Sequence, residues 1–125
     1  MARVVHFDLG VEDPDRASRF YREAFDWSVE KWDGPFDYWL VTTGPDDELG
    51  INGALMKRSD GLSGTQVTIA VDSIDDALAK IVAAGGVIVQ PKETLPGVGQ
   101  IAACRDTEGN ILGVIEPEPM DSQTA

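Results

Sequence analysis

The single histidine of this chain, His6, lies two residues before an aspartate, Asp8, in an apolar run near the N-terminus. An imidazole titrates near neutral pH and a carboxylate can orient it, so the pair suits general acid–base work or the binding of a polar ligand. A buried histidine bonded to a neighbour, beside a carboxylate at a rim, is the alternative. Gln66 and Thr68 form a second polar pair, either as ligand contacts or as partners for one another.

Two strands with alternating apolar residues would carry these pairs. In the first strand, residues 4–11, His6 and Asp8 fall on the face opposite the apolar residues, and residues 66–71 repeat the pattern. Asp13 and Ser73 are candidate caps for a helix after each strand. The predicted apolar stripe of the first helix is Ala17, Phe20, Tyr21, Ala24 and Phe25.

The two halves repeat at a constant offset. Val71 follows Val11 by 60 positions, and residues 111–115 follow residues 51–55 by the same distance. Further strand-like stretches lie at 38–42, 86–90 and 101–104. We therefore predict an α+β fold with two tandem βαβββ units (residues 1–57 and 65–117) forming one domain with a central cleft, and a frayed tail at 118–125.

Each helix should cover one face of its sheet, which leaves the other face for the cleft, the default ligand site. Alternation in the last strands predicts that Gly53, Leu55 and Gly113 face the cleft, whereas Ala54 and Val114 face the helices. The predicted ligand contacts are His6, Asp8, Gln66 and Thr68 as polar groups, with Ile111 and Ile115 as apolar walls.

Three further features each have two interpretations. The aromatic cluster Trp32, Phe36, Tyr38 and Trp39 suits core and dimer packing, or a stacking wall for a flat ligand. Residues 95–100 contain Gly-x-Gly, for which a loop over the cleft mouth fits better than a phosphate site. Glu116 is expected to be a solvated strand end rather than a ligand.

Four segments resemble the vicinal oxygen chelate superfamily, which includes glyoxalase I, bleomycin-resistance proteins and extradiol dioxygenases. The segments are residues 6–13, 19–27, 67–72 and 106–110. The resemblance covers nearly the whole chain and implies the fold predicted above. It also implies a homodimer, which is common among members of the superfamily.

The resemblance implies four metal-ligand positions, which in this chain hold His6, Gly53, Gln66 and Gly113. Glycine has no side chain to coordinate an ion, and a catalytic metal generally needs about three protein ligands. We therefore expect no cofactor and no tightly bound catalytic metal. A weakly held divalent metal completed by water or substrate is the alternative.

Composition limits the partners and the compartment. The chain has 125 residues, 22 acidic and 10 basic side chains, and a net charge of -12, which disfavours nucleic acid and anionic membranes. No apolar run approaches the roughly 18–20 residues of a membrane span. Cys104 is the only cysteine and no signal peptide is expected at the N-terminus, so a cytoplasmic protein is predicted.

Three functions remain open from the sequence. The first is a glyoxalase/bleomycin-resistance-like protein that binds a small organic molecule in its cleft without a catalytic metal. The second is a glyoxalase-related lyase or isomerase that uses His6 as a base with a weakly held metal. The third is an accessory subunit with a vestigial cleft. Whether the chain is an enzyme is left open.

Overall fold

A computed structural model describes residues 2–58 and 64–118. The elements in chain order are β1 (Arg3–Val11), α1 (Pro14–Phe25), β2 (Ser28–Lys31), β3 (Tyr38–Thr42), β4 (Asn52–Lys57), β5 (Thr65–Ala70), α2 (Ile74–Ala83), β6 (Val87–Leu95), β7 (Gly99–Arg105) and β8 (Ile111–Pro117). The order is βαβββ twice, so the predicted α+β fold class is confirmed. The tail beyond residue 118 lies outside the described residues.

The chain divides into two compact units. One unit, here called the N-terminal unit, is Val5–Val67. The other, the C-terminal unit, combines Thr68–Ala125 with Met1–Val4. No helix among the described residues is long and apolar enough to cross a membrane.

In the N-terminal unit, α1 packs on one face of strands ordered β2-β3-β4-β1. β1 and β4 run parallel, and β3 is antiparallel to both β2 and β4. The core between helix and sheet is made by the buried residues Val29, Val41 and Leu55, with Phe7, Leu9, Val11, Ala17, Tyr21, Trp27 and Trp39 packed against them.

The first helix begins where the sequence predicts. Asp13 accepts a hydrogen bond from the Arg16 backbone N–H at 3.1 Å, and Pro14 occupies the first turn. The predicted apolar stripe is wrong in part, because Phe20 and Phe25 are each 57% exposed. They contact one another and neighbouring rings on the helix surface rather than filling the core.

In the C-terminal unit, the strand order is β5-β8-β7-β6 and α2 packs on one face. β7 is antiparallel to both β6 and β8. The buried core is Ile74, Ala102, Cys104 and Val114. Residues 95–100, expected as a loop over a cleft mouth, instead form the ends of β6 and β7 with a tight turn between them.

The start of α2 has two caps. The Ser73 hydroxyl accepts from the Asp76 N–H at 3.2 Å, as the sequence predicts. Glu116 corrects an expectation, because it is not simply a solvated strand end. Its Oε1 accepts from the Ile74 N–H at 2.9 Å, which satisfies a free helix donor from a residue far away in sequence.

We expect Glu116→Ala to lower the free energy of unfolding by about 1–2 kcal/mol, because a helix N–H loses its carboxylate acceptor. Glu116→Gln keeps an oxygen acceptor and should lose less than half as much. Urea unfolding of both variants measures the difference. Equal losses would mean that the carboxylate charge, and not the hydrogen bond, stabilises the helix start.

The register of β4 differs from the prediction. Gly53 pairs with Phe7, and Leu55 pairs with Leu9, so both lie on the helix-covered face. Ala54 pairs with Asp8 on the opposite face. The predicted orientations of Gly53, Ala54 and Leu55 in β4 are therefore inverted, and the 60-residue offset does not preserve the facing of this strand.

Candidate functional site

The face of the N-terminal sheet that α1 leaves uncovered is called here the helix-free face. One row of paired residues crosses all four strands on it, from Glu30 through Leu40 and Ala54 to Asp8. His6 lies on the same face of β1, two residues from Asp8. The structure therefore places both members of the first predicted polar pair on this face.

His6 and Asp8 are in direct contact. The distance from His6 Nε2 to Asp8 Oδ1 is 3.1 Å, and the side chains are 31% and 4% exposed. An ionised Asp8 accepts from Nε2–H, which leaves the other ring nitrogen of His6 as an acceptor. Among the described residues, Asp8 has no other hydrogen-bond partner. The pair thus joins a buried carboxylate to a partly exposed imidazole.

Tyr38 lies on the same face of β3 as Leu40; the sequence analysis named it in the aromatic cluster but not among the polar contacts. Burial, and then the negative charge of Asp8, raises the pKa of Tyr38 to about 12. Its phenol therefore stays protonated at neutral pH and can donate a hydrogen bond. Alternation along β3 could have placed Tyr38 here, but its nearness to Asp8 depends on the β4 register.

A spectroscopic titration tests this environment. The chain has two tyrosines, and we expect one phenol to ionise near pH 12. Between about pH 10 and pH 12, the Tyr38 phenol keeps its proton in the folded state but loses it in the unfolded state. The contribution of Tyr38 to stability is therefore fully present below about pH 10 and falls as the pH rises toward 12. Tyr38→Phe should delete the late ionisation from the phenolate absorbance. If the late ionisation persisted in the variant, its assignment to Tyr38 would be wrong.

Three rings form an aromatic shelf beside this position: Trp32, Phe36 and Tyr38. Their ring centroids are 5.6–6.4 Å apart, and the Trp32 backbone N–H donates to the Tyr38 backbone carbonyl at 2.8 Å. Trp39, the fourth member of the predicted cluster, packs in the helix-side core. The cluster therefore splits between core packing and an exposed shelf.

The C-terminal unit has its own helix-free face. A Cβ on Gly113 would lie 2.7 Å from Thr68 Oγ1, so these two residues meet there. Ile111 and Ile115 alternate with the core residue Val114 and lie on the same face as Gly113. Gln66 shares its side of β5 with Thr68, but the unit boundary falls between them. The role of Gln66, Thr68, Ile111 and Ile115 as ligand contacts stays a prediction.

The residues at the four family positions do not fit a divalent metal. Gly53 faces Phe7 on the helix side, so Ala54 stands on the helix-free face instead, and neither can coordinate an ion. Within residues 2–58 and 64–118, no group of three or more His, Cys, Asp or Glu side chains could hold a metal ion. His6 with Asp8 supplies fewer than the roughly three ligands of a catalytic site.

Two open grooves of the N-terminal unit lie along α1, of about 560 and 580 Å³. One arginine in each groove already has a partner within the protein. Arg58 contacts Glu12 at 3.3 Å in the first, and Arg22 donates to the Val29 carbonyl at 2.7 Å in the second. Neither groove includes His6 or Asp8. We place the candidate site on the helix-free face because the buried carboxylate lies there.

Solved structures share this fold. Methylmalonyl-CoA epimerase from Mycobacterium tuberculosis superposes with a TM-score of 0.70 at 16% identity, over 98% of this chain and 91% of that one. A Streptomyces coelicolor methylmalonyl-CoA epimerase variant in complex with 2-nitronate-propionyl-CoA gives 0.70 at 13% identity, over 94% and 98%. At such identities the likeness establishes the fold alone.

Curated relatives match a shorter stretch. Proteins named "Putative glyoxylase CFP32" from Mycobacterium bovis and Mycobacterium tuberculosis are 40% identical over 53 residues. The match covers 42% of this chain and 20% of each relative, so the chain spans about one fifth of their length. The model of the Glyoxalase/Bleomycin resistance protein/Dioxygenase superfamily matches residues 3–114. The chain belongs to this superfamily.

Proposed function

We propose that the chain binds a small organic molecule on the helix-free face of its N-terminal unit, without a catalytic metal. His6 and Asp8 supply the polar contacts, and the aromatic shelf supplies apolar surface. The other predicted contacts, Gln66, Thr68, Ile111 and Ile115, stay predictions from the sequence and are not part of the site proposed for this unit.

The observation that carries the proposal is the burial of Asp8. A carboxylate that is 4% exposed is costly unless it is paired, and His6 is its one partner among the described residues. Its row neighbours on this face, Ala54 and Leu40, are apolar, so a carboxylate so placed contributes more to binding than to folding. Ligand sites combine a mainly apolar wall with a few such fixed polar groups.

A thermal-shift screen tests the proposal. The panel contains metabolites, antibiotics and acyl-CoA thioesters, the last because similar epimerase structures hold them. We expect at least one compound to raise the melting temperature, with a dissociation constant then measured by calorimetry. His6→Ala and Asp8→Asn should each weaken the binding of this compound by about tenfold or more, since each removes one polar group of the His6–Asp8 pair.

Glu23→Gln is the matched control for Asp8→Asn. Glu23 is an exposed acid on α1, so the variant has the same change in net charge away from the helix-free face. Its affinity should equal that of the wild type. An equal loss in Glu23→Gln would show that only overall charge matters, and unchanged affinity in both site variants would refute the proposed site.

A second candidate is a proton-transfer enzyme, a lyase or isomerase. The observation that favours it is the contact at 3.1 Å, which holds one His6 ring nitrogen against Asp8 and leaves the other as a base. The variant His6→Gln distinguishes a binding protein from an enzyme. An enzyme would lose turnover of the screened compound by about a hundredfold or more while still binding it, whereas a binding protein would show no turnover in either form.

We further propose a cytoplasmic homodimer without nucleic-acid or membrane partners. The dimer is supported by the superfamily, and the excluded partners by the net charge of -12. Light scattering on a sizing column measures the mass. A monomer at all concentrations would refute the dimer and leave the binding proposal standing.

A further inference from the structure

The N-terminal sheet separates its charged side chains by face. On the helix-free face, the row across the strands ends in two acids, Glu30 and Asp8. The cations of these strands lie on the other face: Lys31 pairs with Trp39, and Lys57 pairs with Val11, both partners belonging to the helix-side core. Within β1–β4 of this unit, the helix-free face therefore carries acids and no Lys or Arg.

Asp8 is the buried acid of this row. Its side chain is almost fully buried, and charges interact more strongly where water is excluded. The charge is felt by Tyr38, whose pKa it helps to raise. A cation that reaches this position would be stabilised, whereas an anion would be repelled by Asp8 and by the net charge of -12.

Tyr38 joins the aromatic shelf to this face, because it lies two residues before Leu40, which shares a row with Ala54 and Asp8. Phe36 is 40% exposed and Trp32 is partly exposed, so flat ring surface remains available. A Cβ on Gly34 would meet the indole of Trp32, so this glycine lets the chain pass close against the ring. Aromatic faces bind flat rings by stacking and organic cations through their quadrupole.

We infer that the ligand of the helix-free face is a flat organic cation, an aromatic ring system with a protonated amine or amidine group. The cationic group pairs with Asp8 and the ring stacks on the shelf of Trp32, Phe36 and Tyr38. The inference rests on the proposed function and adds to it the charge and shape of the ligand.

Matched probes test the charge. Proflavine, a cation at neutral pH, and acridine, its neutral parent ring, are titrated by fluorescence. We expect proflavine to bind one-to-one and about tenfold or more tighter than acridine. Asp8→Asn should abolish this difference, and the charge-matched Glu23→Gln should keep it. Phe36→Ala should weaken the binding of both probes about threefold or more. Because Phe36 is 40% exposed, this variant covers the case that Asp8→Asn does not fold.

The outcomes separate this inference from the proposed function. If the screen yields an anionic or non-aromatic ligand whose affinity depends on His6 and Asp8, the inference of a flat cationic ligand is wrong and the proposed site stands. Equal affinities for proflavine and acridine also overturn the inference of a cationic ligand. So does an equal loss of proflavine affinity in Asp8→Asn and Glu23→Gln. If no compound or probe responds to any variant on the helix-free face, both fail.

Discussion

Gly53→Ala is expected to lower the free energy of unfolding by about 3 kcal/mol. A Cβ at this position would collide with the Phe7 carbonyl oxygen and would lie 2.6 Å from the Phe7 ring. The carbonyl belongs to the parallel β1–β4 pair, so it cannot move aside without breaking the pairing. Guanidinium unfolding measures the loss.

Gly44→Ala is the matched control. Its Cβ would have only Glu48 Oε1 nearby, at 3.8 Å, so its stability should change by less than about 0.5 kcal/mol. A mild effect of Gly53→Ala, equal to that of the control, would contradict the observed register of β4. Gly53 would then face away from Phe7, as alternation from the sequence alone predicts.

Leu55→Ala is expected to cost about 3–5 kcal/mol, a large part of the stability of a domain of this size. Leu55 is fully buried and packs with Val29 and Val41 at the centre of the N-terminal core. The substitution loses apolar burial and leaves a cavity that sheet and helix cannot close. Thermal and denaturant unfolding both report the change.

Leu49→Ala supplies the comparison for this leucine. Leu49 is fully exposed, so its truncation should leave stability within about 0.5 kcal/mol of wild type. Similar losses in the two variants would mean that Leu55 is not in a closed core. That result would also invalidate the assignment of β4 faces on which the candidate site depends.

Most of the fold could be predicted from local patterns. Asp13 and Ser73 cap their helices as expected, and β3 has the predicted bounds, because caps and alternation are local properties. The predicted βαβββ pattern requires β2, but its position was not identified, since Val29 is its one buried residue and four residues give no clear alternation. The face predicted for Gly53 was wrong, because a constant repeat offset cannot reveal a one-residue change in register between the two units.

The site was only partly predictable for the same reason. His6 and Asp8 are two residues apart on one strand, so alternation alone brings them together. Tyr38 reaches the same face only through the pairing of β3 with β4, which is not local. The bond from Glu116 to the start of α2 joins residues 42 positions apart, and no sequence pattern marks it.

The most direct test of a ligand site on the helix-free face is an NMR titration of the isotope-labelled chain with the tightest compound from the screen. We predict that the largest amide shifts fall at His6, Asp8, Tyr38 and Ala54, and that Asp8→Asn removes them at the same compound concentration. Shifts concentrated along α1, at Arg19 and Phe20, would contradict the account and move the site to the helix side.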